Sequence, residues 1–259
     1  MLKNERHTEI LEILKRDRFA AVRDLGEAVH ASQPTIRRDL DFLERKGYVR
    51  RSHGCVVIAD GRINTPVPFR KGTMSKEKMN ICRLASSLIQ QGQTIFIDAS
   101  TTAFYLSEFL PNDADLTVIT NGLTLCRSLS EKKIRTFSTG GRLVRESEAF
   151  VGSIAEETVK GLYTDIMFFS SSSLDNDGTI SDYSEEETSL RKVMRSMSQK
   201  TVFLCDSGKL PSRSAFKVFS LCDIDYFVSN ERISSSLADS CRLEIYVETD
   251  GAVMYRKKD

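Results

Sequence analysis

The side chains able to do chemistry in this chain form two groups that differ in residue type and in spacing. In the longer, C-terminal part, polar residues follow short apolar runs: Asp98, Ser100, Thr101 and Thr102 come after Thr94-Ile95-Phe96-Ile97, and Asn121 after Leu116 to Thr120. Gly140 and Gly141 come after Ile134 to Thr139, and Asp206-Ser207-Gly208-Lys209 after Val202 to Cys205. Hydroxyls at a helix start, glycines that allow close backbone approach and a lysine point charge suit an anion such as phosphate. Asp98, Asn121 and Asp206 suit the hydroxyls of a sugar. The second group lies near the N-terminus: Ser32, Gln33, Thr35, Arg37 and Arg38, then Arg50, Arg51 and His53. Hydrogen-bonding side chains next to cations are what base-edge reading and DNA phosphate contacts require.

These residues need elements to hold them. Ser32 is an N-cap type and Pro34 is tolerated in a first turn, so a helix starts here. Ile36, Leu40 and Leu43 form its buried stripe, which leaves Gln33, Thr35, Arg37, Arg38 and Asp41 on or near the outer side. Gly47, after Arg45 and Lys46, is its expected stop. Tyr48 to Arg51, Ser52-His53-Gly54 and Cys55 to Ile58 read as strand, turn and strand, a candidate wing. Val22 to Val29 and Glu5 to Arg16 carry apolar residues at helical spacing, and His30-Ala31 is the connector to the third helix. Three helices and a basic hairpin predict a winged helix-turn-helix over residues 1–59 whose partner is double-stranded operator DNA. Charge agrees: residues 1–53 hold 12 basic and 9 acidic side chains in a chain whose totals, 37 and 36, nearly balance.

Residues 60–74 lose periodicity, and Pro66 and Pro68 flank Val67, so a semi-rigid extended linker is expected there. From residue 75 to residue 259 helical stripes alternate with mostly apolar strands, the pattern of an α/β domain with a parallel sheet covered on both faces. In such sheets ligands sit beyond the C-terminal strand ends, where the first group of polar residues falls. Paired recognition helices on a two-fold operator imply a homo-oligomer.

Other chemistries compete for some of these residues. Asp98, Asp206 and Lys209 have the types needed for proton transfer, so a sugar-phosphate isomerase with an accessory N-terminal domain is the rival reading. Glu185-Glu186-Glu187 suits a helix first turn after Ser184, with Ser184 and Glu187 forming a capping box, better than a metal. Asp175-Asn176-Asp177-Gly178 resembles a calcium loop, but Thr179 and Ile180 stand where a ligand and the glycine are needed, so a turn is expected. The six cysteines show no C-x-x-C spacing, which predicts reduced thiols and no zinc; no metal and no cofactor are expected. His7 and His30 show no partner. Charged residues follow Leu2 at once and no apolar run reaches spanning length, so a cytoplasmic chain with no membrane partner is expected.

Several of these residues also carry a family likeness. Thr35-Ile36-Arg37-Arg38-Asp39-Leu40, Leu43-Glu44 and Arg51-Ser52-His53-Gly54 resemble the N-terminal signature of the DeoR-type repressors of bacterial sugar metabolism, with Cys55 where a second glycine is usual. The likeness continues through Ile97 to Thr102, Ile119-Thr120-Asn121, Gly140-Gly141, Gly152, Glu187, Arg191-Lys192, Met194 and Asp206 to Lys209. It implies a DNA-binding repressor of carbohydrate genes whose α/β effector domain resembles ribose-5-phosphate isomerase in fold and binds a phosphorylated sugar. Ser170 and Ser173 stand where that family usually has glycines.

Overall fold

The computed structural model describes all residues except 1–2, 18, 47, 53, 60–66, 73 and 259, and the chain divides into two units, Met1–Thr73 and Met74–Asp259. In the first unit the order is α1 (Lys3–Asp17), β1 (Phe19–Ala21), α2 (Val22–Ala28), α3 (Gln33–Arg45), β2 (Val49–Ser52), β3 (Cys55–Ile58) and α4 (Val67–Gly72). Ile10 and Leu14 of α1, Leu25 of α2 and Ile36, Leu40 and Leu43 of α3 meet in one apolar core closed by Val49 and Val56. Burying such stripes, at about 1.5–3 kcal/mol per large aliphatic side chain, outweighs the weak intrinsic stability of helices this short. The tight turn between α2 and α3 puts His30 at a φ of 50° and is closed by the Ala31 amide on the Gly26 carbonyl at 2.8 Å.

The strands form an antiparallel sheet in the order β1-β3-β2. The expected hairpin is β2 and β3; the third strand, β1, is only three residues long and too short to show a period of its own. Within the extended linker expected over residues 60–74, the structure differs at Val67–Gly72. Val67 begins α4, which lies beside β2 and β3 with Val67 itself buried, because Pro68 falls in the first helical turn where no amide is needed. Residues 60–66 and Gly47 lie outside the described residues.

The second unit runs α5 (Ser75–Ala85), β4 (Thr94–Ile97), α6 (Leu106–Phe109), β5 (Thr117–Thr120), α7 (Leu123–Glu131) and β6 (Arg135–Ser138). It continues through the hairpin β7 (Arg142–Val144) and β8 (Ala149–Val151), α8 (Ser153–Lys160), β9 (Thr164–Phe169), β10 (Ser173–Leu174) and β11 (Thr179–Asp182). The remainder is α9 (Glu185–Ser196), β12 (Ser198–Cys205), β13 (Phe216–Ser220), β14 (Tyr226–Ser229), α10 (Ser235–Ser240), β15 (Leu243–Thr249) and β16 (Ala252–Lys257). The main sheet has the order β15-β16-β14-β12-β9-β4-β5-β6, parallel from β14 to β6 with an antiparallel edge formed by β15 and β16.

Alternate residues of the central strands enter two separate cores, which is the physical content of a sheet covered on both faces. Phe96, Met167, Phe169, Phe203 and Phe227 face the side of α8 and α9. Ile95, Ile97, Phe168, Val202 and Leu204 face the other, packed with α5 residues Ile81 and Ala85. After β4 the chain steps outward to β5 and β6; from β9 it steps the opposite way to β12 and β14. The strand order therefore reverses between neighbours β4 and β9, and a crevice opens at their C-terminal ends.

One expectation about the cysteines is corrected. Cys222, in a turn after β13, and Cys241, at the end of α10, are joined in a disulfide with Cα atoms 4.2 Å apart. The pairing depends on two segments meeting in space and leaves no mark in cysteine spacing. Cys82 and Cys205 are free and fully buried, and burial pushes the Cys205 thiol up to about 12.

Candidate functional site

The outer face of α3 is set by the inner one. With Ile36, Asp39, Leu40 and Leu43 buried, Ser32, Gln33, Arg37 and Arg38 are exposed and Thr35 is half-buried. Ser32 holds the N-cap position, yet its hydroxyl meets Thr35 Oγ1 at 2.9 Å and caps no amide, a difference from the expected side-chain cap. Asp39, in the middle of the expected signature, points inward: Arg6 Nε donates to its Oδ2 at 2.5 Å and His7 Nε2 lies 2.9 Å from its Oδ1. His7 also stacks on Phe42. Burial alone would raise the Asp39 carboxyl, but the bonds from Arg6 and His7 win and hold it below its ordinary value. This pair ties α1 to α3, and sequence spacing could not show it, since the partners are 32 and 33 residues apart.

The wing carries two cations, Arg50 and Arg51. Arg50 is exposed, and the Arg51 guanidinium is held by the protein. Its Nε donates to Glu44 Oε2 at 3.0 Å, its Nη2 to Asp41 Oδ1 at 2.5 Å, and its amide to Glu44 Oε1 at 2.9 Å. Those carboxylates outweigh partial desolvation and raise the Arg51 pKa further. Arg51, expected to hold DNA phosphate, thus stands in the structure as the staple between α3 and β2. His53 lies outside the described residues.

At the β4/β9 switch point the chain gathers a buried polar network. Arg191, on α9, donates from Nε to Asp98 Oδ2 at 2.8 Å, from Nη1 to Asp182 Oδ2 at 2.9 Å and from Nη2 to Glu187 Oε2 at 3.2 Å. Asp98 Oδ1 accepts from the Ser100 amide at 3.1 Å and the Ser100 hydroxyl at 2.5 Å. Beside it, the Lys209 ammonium donates to Thr102 Oγ1 at 2.9 Å and Ser170 Oγ at 2.7 Å and pairs with Asp206 Oδ2 at 3.3 Å. Burial would raise the Asp206 carboxyl, but the charges of Lys209 and Lys78 hold it below its ordinary value. Desolvation opposes the Arg191 charge, and its three carboxylates more than compensate, so its pKa is raised.

Five of the expected effector residues, Asp98, Ser100, Thr102, Asp206 and Lys209, therefore meet in one place. Thr101 is buried in the same loop, and the amides of Thr101 and Thr102 make no hydrogen bond among the described residues. The other expected residues have positions of their own. Asn121 is a brace: its Oδ1 accepts from the Ala99 amide at 2.9 Å and its Nδ2 donates to the Phe150 carbonyl at 3.2 Å. Gly140 and Gly141 follow β6, two strands and so about 10 Å from β4. Gly141 has a φ of 102°, and a Cβ there would lie 2.6 Å from the Val151 carbonyl oxygen, so packing by itself demands glycine.

Sequence reasoning missed the hub. Arg191 to Glu187 was legible as a helical i,i+4 pair, but Asp98 is 93 residues away. Glu187, expected to serve a capping box, donates its amide to Ser184 Oγ and turns its carboxylate on Arg191. Asp182 gave no signal at all: it ends β11, and the Arg191 guanidinium on α9 reaches back to it. The turn expected at Asp175 to Gly178 is present, closed by the Gly178 amide on the Asp175 carbonyl at 3.0 Å. No helix among the described residues is long and apolar enough to cross a membrane.

Comparison with known proteins agrees with both halves. A family profile described as a DeoR-like helix-turn-helix domain matches residues 6–62, and one described as the DeoR C terminal sensor domain matches residues 73–231. An uncharacterized HTH-type transcriptional regulator of Bacillus subtilis, YulB, is 34% identical, covering 89% of this chain and 90% of its own. The L-fucose operon activator of Haemophilus influenzae is 30% identical, with 92% and 96% covered. The glycerol-3-phosphate regulon repressor of Escherichia coli K12 is 27% identical, with 87% and 90% covered. Among solved structures, ribose 5-phosphate isomerase A of Neisseria gonorrhoeae aligns at 12% identity and a TM-score of 0.40, covering 71% of this chain and 76% of that one.

Proposed function

Because the chain belongs to the DeoR family of helix-turn-helix transcriptional regulators, we propose that it acts as a repressor of carbohydrate genes, released from operator DNA by a phosphorylated sugar bound at the β4/β9 crevice. The carrying observation is the meeting of Lys209, Thr102, Ser170 and Asp206 with Asp98 and Ser100 at that switch point. Lys209 and the free amides of Thr101 and Thr102 suit the phosphate, and the carboxylate edges suit sugar hydroxyls. Gln33, Arg37 and Arg38 are the base-reading candidates, Ser32 and Thr35 add hydroxyls at the helix start, and Arg50 is the backbone contact of the wing. A homo-oligomer in the cytoplasm follows from the same reading, since a two-fold operator needs two recognition helices.

The geometry favours ligand holding over catalysis. Asp98 already accepts three hydrogen bonds and the Lys209 ammonium has three acceptors, so neither is poised to move a proton. The test is fluorescence anisotropy of the full chain on the promoter DNA of its own gene, at two salt concentrations, with and without a panel of sugar phosphates. Salt-sensitive binding weakened by at least one of them is expected, with Lys209→Ala still binding DNA but losing the response. DNA binding indifferent to every sugar phosphate would overturn the effector half of the reading.

A further inference from the structure

The opposite edge of the same sheet carries a second cluster that the effector crevice does not use. Register places Val202 of β12 beside Tyr226 of β14, Tyr226 beside Arg256 of β16, and Arg256 beside Glu244 of β15. Side chains alternate along a strand, so Lys200 shares the face of Val202 and Lys258 that of Arg256. Three cations and a tyrosine thus line one face across adjacent strands near the N-terminal ends of β12 and β14. They border a cavity of about 320 Å³, at the lower end of the range for small-ligand sites, about 300–1,000 Å³.

The two acids at this cavity, Glu244 and Asp225, each have a protein partner. Glu244 accepts from Arg256 Nε at 2.8 Å, and Asp225 Oδ2 accepts the Thr201 amide at 2.8 Å. Arg256 also lies over the Tyr246 ring, 4.9 Å from its centroid, while Tyr246 meets Tyr226 edge-on. These contacts fix one cation and the aromatic floor. Lys200 and Lys258 have no side-chain acceptor among the described residues, so two unmatched ammonium groups flank a concave site with an ordered guanidinium between them. The lining holds four cations, Lys200, Arg256, Lys257 and Lys258, against the two carboxylates of Asp225 and Glu244, and a group with several oxyanions would offset that excess of positive charge.

We propose that this cavity is a second binding site, for the phosphate groups of a small phosphorylated metabolite, separate from the effector crevice. DNA phosphate is the other source of the same chemistry, and the experiment separates the two. Pyrophosphate is titrated calorimetrically into the full chain, into the Lys200→Ala/Lys258→Ala variant and into Lys209→Ala. Both lysines are exposed, so the double variant keeps the fold; a Lys200→Arg/Lys258→Arg variant controls for charge. The expected result is at least a tenfold loss of one pyrophosphate site in the alanine double variant, retention with arginine, and retention in Lys209→Ala. In parallel, the salt dependence of duplex binding is compared. An unchanged slope assigns the site to a small molecule, whereas a slope smaller by about 1.8 assigns the two lysines to the DNA backbone and overturns the proposal. Pyrophosphate affinity equal to wild type in the alanine double variant also overturns it.

Discussion

Replacing Arg191 with methionine keeps an unbranched side chain of shorter reach and removes the one charge that three buried carboxylates share. Arg191 is 5% exposed, and Asp98, Asp182 and Glu187 are 1%, 6% and 7% exposed, so water cannot take the place of the guanidinium. Leaving a buried charge without its partner costs about 3–5 kcal/mol, and here the carboxylates repel one another as well. The expected loss at neutral pH is at least at the upper part of that range. Urea unfolding followed by far-UV circular dichroism measures this without tryptophan, which the chain lacks. Arg191→Met/Asp182→Asn should recover part of the loss. A deficit under about 1 kcal/mol would refute the hub.

Three further expectations concern single residues. Arg37→Ala should lose about 1–3 kcal/mol of operator affinity by anisotropy if Arg37 reads a base, and unchanged affinity removes that role. Ser170→Gly frees one donor of the Lys209 ammonium, which is otherwise saturated by protein acceptors; sugar-phosphate affinity by calorimetry should tighten by roughly fivefold, about 1 kcal/mol, and weaker binding would mean that Ser170 positions Lys209 for the ligand instead. Asp39 has a folded pKa held below its unfolded value, so its stabilisation is present above pH about 4 and lost as pH falls through the lowered folded value. Asp39→Asn should flatten this part of the acid unfolding curve, and an unchanged curve between pH 2 and pH 5 would show that the Arg6 and His7 contacts do not contribute.

The helices of the N-terminal unit and the apolar strands of the sheet were legible because both rest on local order. Ile36, Leu40 and Leu43 repeat at helical spacing, and Ile95 to Ile97 or Val202 to Cys205 are too apolar to lie anywhere but between two covered faces. The polar residues that end these strands were legible too, since parallel strands bring their C-terminal ends to one edge. What the strand ends then do was decided by tertiary structure. Asp98 belongs to Arg191 across 93 residues, Lys209 to Thr102 across 107 and Ser170 across 39, and no periodicity spans such distances. The same holds for Arg51, whose exposure as a DNA contact depended on whether Glu44 and Asp41 lay within reach, and for Cys222 and Cys241, paired by the approach of a turn to α10. Local spacing determined which face of each element is buried; which charges are left over for a ligand was settled only when the elements packed and the strongest pairs had formed.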